Sequence, residues 1–360
     1  MKIGILTFHR AHNYGAVLQC FALQRFLQGQ GHQVRVIDYN KKALWRYYGW
    51  FKSEDVRYAF SDFRKLLKRS GELFLKWYRT APRFYKFRWF QNHRLKLCST
   101  SEIIQEPFDL ILIGSDQVWN TTITCGFDAF YWGQFEKPSK TKVASYAASL
   151  KKLWDEKDWP TVLEYLSAFC AISVRENNVA EFLLGLNPDL NPRVVPDPVF
   201  LLSAKEWSKF ALNHRIDEPY VFFYQAMDSD SAFRVAERVA SEKGMRLVVL
   251  SANVNGRNSR ESRSSSPIEF VGWIKNAEIV VTSSFHATAF SIIFHKDFLC
   301  VDLNKGEDSR LKCLLSLFGL ESRFIRSEDE YHALSFNDYD CQDELASLQN
   351  TAIRYFASIV

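Results

Sequence analysis

The sequence predicts an α/β protein built from two doubly wound domains, and three observations lead there. Short continuous apolar runs, of the kind buried parallel strands need, recur along the whole chain. They alternate with helical patterns, once up to about residue 198 and again from about residue 200. Several runs end in glycine or small hydroxyl residues, the composition of strand-to-helix turns.

Lys2–Phe8 (KIGILTF) reads as a buried strand, and His9–Gly15 as a polar, glycine-containing turn after it. From Ala16 to Gln28, the apolar set Val17, Leu18, Phe21, Leu23 and Leu27 forms an amphipathic helix that Gly29 and Gly31 stop. Gln33–Tyr39 is the second strand, so the chain opens as a βαβ unit with a right-handed crossover. Phe108–Ile113 is the next apolar strand, ending at Gly114-Ser115-Asp116. Lys142–Ala147, a helix near Thr161–Phe169, the strand Cys170–Val174 and a short Arg193–Val195 follow, and Asp197-Pro198 shapes the bend into the second half. There Tyr220–Gln225 is a strand, Ser229–Lys243 a helix and Arg246–Ser251 a strand. Ala252–Pro267 is serine-rich and reads as a mobile loop. Phe270–Asn276 is a short helix, and the strands Glu278–Thr282 and Phe298–Asp302 flank a helix at His286. Asp340–Ile359 is a closing amphipathic helix. The expected limits are therefore 1–198 for the first domain, with an insertion at 41–100, then 199–335 for the second and 336–360 for the closing helix.

Apolar content of 47% and charged content of 24% are those of a globular protein. The most suggestive apolar run, Ile279–Phe294, is too short and too polar to span a bilayer. MKIGILTF runs straight into HRAHNYG, without the apolar core or cleavage site of a secretory leader. Seven widely spread cysteines, none in a CxxC, read as reduced core thiols and favour a cytoplasmic address. The net charge of +5 is unevenly placed: residues 41–100 carry 16 Lys/Arg against four acids, so the other 300 residues sum to −7. In this stretch cations alternate with aromatics, as in Trp77-Tyr78-Arg79 and Phe84-Tyr85-Lys86-Phe87-Arg88-Trp89. Such a pattern suits a solvated helical insertion packed by its aromatic face, or peripheral contact with the inner face of a membrane. It comes with no nucleic-acid motif, and no nucleic-acid partner is expected.

The stretch Ala277–Phe290 (AEIVVTSSFHATAF) carries the densest chemistry. An apolar strand breaks into Thr282, Ser283 and Ser284, and His286 opens the next helix. Ligands of open α/β sheets bind beyond the carboxyl ends of the strands. The first N–H groups of a helix favour an anion there, and histidine exchanges a proton near neutral pH. In the first half, Asn13-Tyr14-Gly15 lies where a strand meets its helix, Gly15 allowing close backbone approach. Ser115 and Asp116 end another strand on the same edge, and Trp119 either stacks on a sugar ring or belongs to the core. There is no GxGxxG fingerprint and no clustered set of metal ligands.

The chain resembles the polysaccharide pyruvyl transferase family. The matching segments are TFHRAHNYGAVLQCFALQRFL (7–27), DLILIGSDQVWN (109–120), SYAASL (145–150), AISVREN (171–177), VVPDPVFLL (194–202), VVTSSFHATAFSIIF (280–294) and SRLKCLLSLFGLESR (309–323). The resemblance implies two Rossmann-like domains of GT-B-like type. It also implies transfer of a pyruvyl group from phosphoenolpyruvate to a sugar, or to a lipid-linked oligosaccharide, as a cyclic ketal in cell-surface polysaccharide synthesis. Phosphoenolpyruvate is then a co-substrate, with no further cofactor and no metal. His286 matches the family's histidine and takes the acid/base role. Arg175, with Ser283 and Ser284, falls to the donor; Asn13, Gly15, Ser115 and Asp116 fall to the acceptor. Where many members carry an arginine two positions before the histidine, this chain has Ser284. The missing cation must come from elsewhere, with Arg257, Arg260, Lys305 and Arg310 as candidates. A nucleotide-sugar glycosyltransferase and a non-catalytic carbohydrate-binding protein of the same fold are the alternative readings.

Overall fold

The computed structural model describes residues 1–39, 63–212, 216–252, 257–303, 309–326, 328, 330–331 and 339–360. The chain forms two compact units, Met1–Tyr58 with Trp89–Leu201 and Ser347–Val360, and Ala59–Arg88 with Leu202–Ala346. This division departs from the expected limits. Ala59–Arg88, expected within the first domain, belongs to the second unit. The physical reason lies in two cations. The Arg83 guanidinium donates to the carbonyl oxygens of Ser251 at 2.8 Å, Ala252 at 2.9 Å and Arg263 at 2.8 Å. The Lys86 ammonium lies 2.7 Å from the Glu269 carboxylate. From Ser347 onward the closing helix belongs to the first unit, where the Tyr355 hydroxyl donates to the Ser145 carbonyl at 2.6 Å.

In the first unit five parallel strands, β1 (Lys2–Leu6), β2 (Gln33–Ile37), β3 (Leu97–Cys98), β4 (Leu110–Ile113) and β5 (Lys142–Ser145), lie in the order β3-β2-β1-β4-β5. A parallel pair, β6 (Ser173–Val174) and β7 (Arg193–Val194), continues beyond β5 through bridges at Ala144–Ala171 and Ala148–Val174. β4 is buried along its whole length, as a strand covered on both faces must be. Helix α1 (Tyr14–Gly29) connects β1 to β2, and the Asn13 side chain caps it by accepting from Ala16 N at 3.2 Å. The helix therefore begins before Ala16, and Gly15 is a buried residue of its first turn rather than part of a loop.

Helix α2 (Phe63–Arg94) precedes β3, and α3 (Trp159–Leu166) stands where the second helical pattern of this half was expected. An aromatic cluster fills the core below the sheet, with Trp119 fully buried and stacked on Trp132 at 5.1 Å. Its indole N–H donates to the Tyr131 carbonyl at 3.0 Å. Of its two readings, the structure places Trp119 in the core. Helix α4 (Asn177–Leu186) leads from β6 towards β7.

The second unit repeats the principle with a different strand order. β8 (Tyr220–Gln225), β9 (Arg246–Ser251), β10 (Ile279–Thr282), β11 (Asp297–Val301) and β12 (Phe324–Ile325) are all parallel, ordered β12-β11-β10-β8-β9. Helices α5 (Asp230–Glu242), α6 (Pro267–Asn276) and α7 (Phe285–Ile293) cross between them, and α8 (Gln342–Ile359) closes the chain. Ser266 and Glu269 start α6 with reciprocal side-chain bonds, which explains its onset before Phe270. The serine-rich segment is not a free loop over its described part. Ser262 and Ser265 are buried, the Ser262 hydroxyl donates to the Val249 carbonyl, and the Ser265 hydroxyl accepts from the Trp273 indole at 2.8 Å. The serines satisfy backbone and indole groups that burial would otherwise strand.

Candidate active site

Strand order locates a topological reversal in each unit. In open parallel sheets ligands sit outside the carboxyl ends of the strands where the order reverses. In the first unit the reversal falls between β1 and β4, and in the second between β8 and β10. The turns leaving these strands are Thr7–Asn13 and Gly114–Asp116 in the first unit, and Ala226–Ser229 and Thr282–Ser284 in the second. Asn13, Ser115, Asp116, Ser283, Ser284 and His286 all lie at or beside these turns.

The first unit's edge is a closed polar network. Thr7 donates to the Ser115 carbonyl at 2.8 Å and accepts from Gln19 at 2.9 Å, tying the two turns together. Ser115 is fully buried, and its hydroxyl lies 3.0 Å from the Ala147 carbonyl and 3.5 Å from Asp197. The Ser115 hydroxyl is thus engaged inside the turn, between the Ala147 carbonyl and Asp197. Asp116 has a φ of 72°, with its carboxylate accepting from Gln117 N at 2.9 Å. Left-handed backbone at a non-glycine residue is characteristic of constrained, functional turns. Gly114 has a φ of 112°, and a Cβ there would lie 2.4 Å from the Tyr146 carbonyl oxygen.

Arg175 follows β6 on the same edge, not at the switch itself. Its guanidinium donates to Glu176 at 2.9 Å, Asp197 at 2.8 Å and the Ser149 hydroxyl at 2.9 Å, and its side chain is 5% exposed. Burial works against its charge, but Glu176, Asp197 and Asp116 outweigh that and raise its pKa above the ordinary arginine value. The expected open fork for an anion is thus occupied. Asp197, fully buried, accepts from Val199 N at 3.1 Å and from Arg175, so it does more than shape a bend.

Sequence reasoning passed over a second cluster beside β1 and β2. His9 is fully buried, with one ring nitrogen 3.0 Å from Asp38 and the other 3.1 Å from the Thr7 carbonyl. Arg10 engages both Asp38 oxygens, its Nε at 2.7 Å. Burial alone would raise the Asp38 pKa, but the bonds from Arg10 and His9 hold it well below the usual carboxylate range. The signal was available: a histidine and an arginine directly follow an apolar strand.

The second unit's edge is more open. The Thr282 hydroxyl donates to the Tyr224 carbonyl at 2.7 Å and accepts from Ser284 N at 3.1 Å. Ser284 stands at the N-cap of α7, yet its side chain makes no capping bond. The Ser283 hydroxyl is buried and has no hydrogen-bond partner among the described residues. His286 is half-buried in the first turn of α7. One turn therefore brings together an uncommitted buried hydroxyl, an N-cap hydroxyl, the free N–H groups of a helix start and an imidazole.

Of the cations proposed to stand in for arginine at position 284, Arg257 pairs with Asp230 at 2.8 Å and Lys305 lies outside the described residues. Arg260 is exposed and Arg310 partly buried. Arg83, which was not among those candidates, also reaches this sheet's carboxyl edge, on the carbonyls at the end of β9. No group of His, Cys, Asp and Glu among the described residues is arranged to hold a metal. A cavity of about 540 Å³ in the first unit is lined by Cys170, Ile172 and Arg193, at the opposite, amino ends of β6 and β7.

Residues 13–305 match the profile of a family described as polysaccharide pyruvyl transferase. No curated protein matches the chain. Among solved structures, a UDP-GlcNAc 2-epimerase from Methanocaldococcus jannaschii is similar at a TM-score of 0.52 and 12% identity, covering 99% of this chain and 100% of that one. A putative UDP-N-acetylglucosamine 2-epimerase from Listeria monocytogenes is similar at 0.51 and 11%, covering 99% and 95%. At such identities the likeness concerns the fold, two Rossmann-like units of GT-B-like class.

Proposed function

This chain belongs to the polysaccharide pyruvyl transferase family, and on that premise we propose that it transfers a pyruvyl group from phosphoenolpyruvate to a sugar of a cell-surface polysaccharide or its lipid-linked precursor. The product is a cyclic ketal, phosphoenolpyruvate is a co-substrate, and the work is done in the cytoplasm. The observation that carries the site assignment is the β10–α7 turn, where the unbonded Ser283 hydroxyl, Ser284 and His286 coincide with the strand-order reversal of the second unit. Ser283, Ser284 and the α7 N-terminus receive the donor's anionic groups.

The chemistry then assigns each proton. One sugar hydroxyl adds to the central carbon of phosphoenolpyruvate while His286 delivers a proton to the methylene carbon, which becomes methyl. The hydroxyl proton replenishes the imidazole. The second hydroxyl displaces phosphate from the same carbon, its proton leaves with the phosphate, and the ketal ring closes. Asn13, Gly15 and Asp116 bind the acceptor on the first unit, Asp116 accepting from sugar hydroxyls. Arg175 takes a supporting part, ordering the acceptor edge through Asp197 and Glu176. Donor binding through it would require one of those carboxylates to let go.

The test is mass spectrometry of candidate glycans and lipid-linked saccharides incubated with the protein and phosphoenolpyruvate, with phosphate release measured in parallel. A pyruvyl-sized addition stoichiometric with phosphate is the expected result. Binding of nucleotide sugars with no response to phosphoenolpyruvate would move the assignment to a glycosyltransferase. Binding of glycans alone would leave a non-catalytic carbohydrate-binding protein.

A further inference from the structure

Helix α2 has a surface that the transfer chemistry does not use. From Tyr78 to Lys96 it and the residues just after it contain six Lys or Arg and no Asp or Glu. Two of the six are engaged inside the second unit, Arg83 on backbone carbonyls and Lys86 on Glu269. Arg79, Arg94 and Lys96 are exposed, and Arg88 is half-buried.

The aromatic residues divide by face. Phe87 and Phe90 are fully buried, as are Ala81 and Gln91 nearly or completely. Tyr78, Tyr85 and Trp89 are instead 62%, 65% and 49% exposed. With the exposed Pro82 they sit at alternating spacings of four, three and four residues, the pattern of one helical stripe. His93 extends the stripe, stacking on Trp89 at 4.9 Å, and the Arg94 guanidinium lies over the Trp89 ring at 5.7 Å. A solvated helix face ordinarily carries charged and short polar side chains. This one carries large amphipathic rings flanked by cations.

Tyrosine and tryptophan settle at the boundary between lipid headgroups and acyl chains. Arginine and lysine beside them are attracted by anionic headgroups. On this stripe exposed aromatic rings stand at helical spacing with exposed cations beside them, a mixture that suits a lipid surface, where rings enter the headgroup region and cations meet anionic headgroups. The sequence just upstream keeps the same character, with Lys41, Lys42, Arg46 and Lys52 among Trp45, Tyr47, Tyr48 and Trp50. We propose that the exposed face of α2, centred on Tyr78, Tyr85 and Trp89 with Arg79, Arg88 and Arg94, docks in the plane of an anionic phospholipid surface. This inference stands apart from the pyruvyl-transfer reading, because its test involves no turnover.

The test is co-sedimentation of the full chain with vesicles of phosphatidylcholine alone and of phosphatidylcholine mixed with phosphatidylglycerol, at low and high salt. Binding is expected only to the mixed vesicles and is expected to weaken as salt rises. The Arg79→Glu, Arg88→Glu variant should bind weaker by about five-fold or more for each cation lost. The Tyr78→Ser, Tyr85→Ser, Trp89→Ser variant should lose roughly ten-fold or more. Thermal unfolding of both variants is followed alongside, and the charge variant keeps every ring in place should the triple variant fold poorly. Equal binding to neutral and anionic vesicles, no binding at all, or charge and ring variants that bind like the parent would each overturn the proposal. So would retention on single-stranded RNA or DNA in preference to vesicles.

Discussion

Replacing Arg175 by Met tests whether that residue is a scaffold or an open ligand for the donor. Methionine keeps most of the apolar stem but removes the charge. The side chains involved are 5% exposed for Arg175, 4% for Glu176 and 0% for Asp197, so water cannot replace the lost partner. Removing one member of a buried ion pair costs about 3–5 kcal/mol, chiefly because the stranded charge remains. Here two carboxylates are stranded, and Asp116 adds a third within electrostatic range. For a unit of this size each kcal/mol lowers the melting temperature by about 2–4 °C, so a drop on the order of 10 °C is expected. Adding Asp197→Asn to the variant should recover part of the loss, because it removes one stranded charge, and the two effects should not add. Differential scanning calorimetry measures both. If Arg175→Met melts within about 2 °C of the parent and loses only phosphoenolpyruvate binding, the guanidinium is a ligand for the donor and the scaffold argument fails.

The remaining predictions address other parts of the same design. His286→Ala should lower the rate of phosphate release by about 10²–10⁴-fold with little change in melting temperature, since the ring is only half-buried; an unchanged rate would remove His286 from the chemistry. Asp38→Asn should destabilise the chain near neutral pH. Because the Asp38 pKa is depressed in the folded state, the stability it contributes is present above the ordinary carboxyl value of 3.8 and is lost as pH falls below it towards the folded pKa. The gap between parent and variant in urea unfolding should therefore close in acid, and a gap that widened there would contradict the assignment. Gly114→Ala should cost at least about 2 kcal/mol, because both its φ of 112° and the 2.4 Å approach of the Tyr146 carbonyl exclude a side chain; urea unfolding that matches the parent would refute it.

Much of the fold was legible because parallel strands buried on both faces announce themselves. The runs KIGILTF, FDLILI and YVFFYQ contain the observed β1, β4 and β8. Strand order was not legible, since it depends on which crossovers pack together and leaves no local trace. Yet the candidate residues of four turns fell on the carboxyl edges without it, because that edge follows from chain direction alone. Side-chain commitments were the hidden part. Arg175 reads as an open fork until Asp197, 22 residues later, is seen to occupy it. Arg83 looks like one more charge in a solvated run until its carbonyl partners, 168 to 180 residues away, are in place. Gly15 suggested a turn because glycine so often makes one, but the Asn13 cap starts the helix first.

The two edges differ in charge, and that difference argues for how the substrates are divided. At the first unit's edge Asp116, Glu176 and Asp197 surround a single guanidinium, and Arg10 is spent on Asp38. Phosphoenolpyruvate brings a phosphate and a carboxylate, and such an edge would repel both at short range. A sugar brings neutral hydroxyls, for which the Asp116 carboxylate at the end of β4 is a suitable acceptor. At the second unit's turn, β10 and α7 offer a helix N-terminus, the Ser283 and Ser284 hydroxyls and an imidazole, while Asp228 after β8 and the buried Asp302 after β11 bring carboxylates to the same edge. Placing the donor on the first unit would require two anionic groups to enter a site already in excess of carboxylate. Placing it on the second gives it the α7 N-terminus and the Ser283 and Ser284 hydroxyls, with the Asp228 and Asp302 carboxylates on the same edge to be offset.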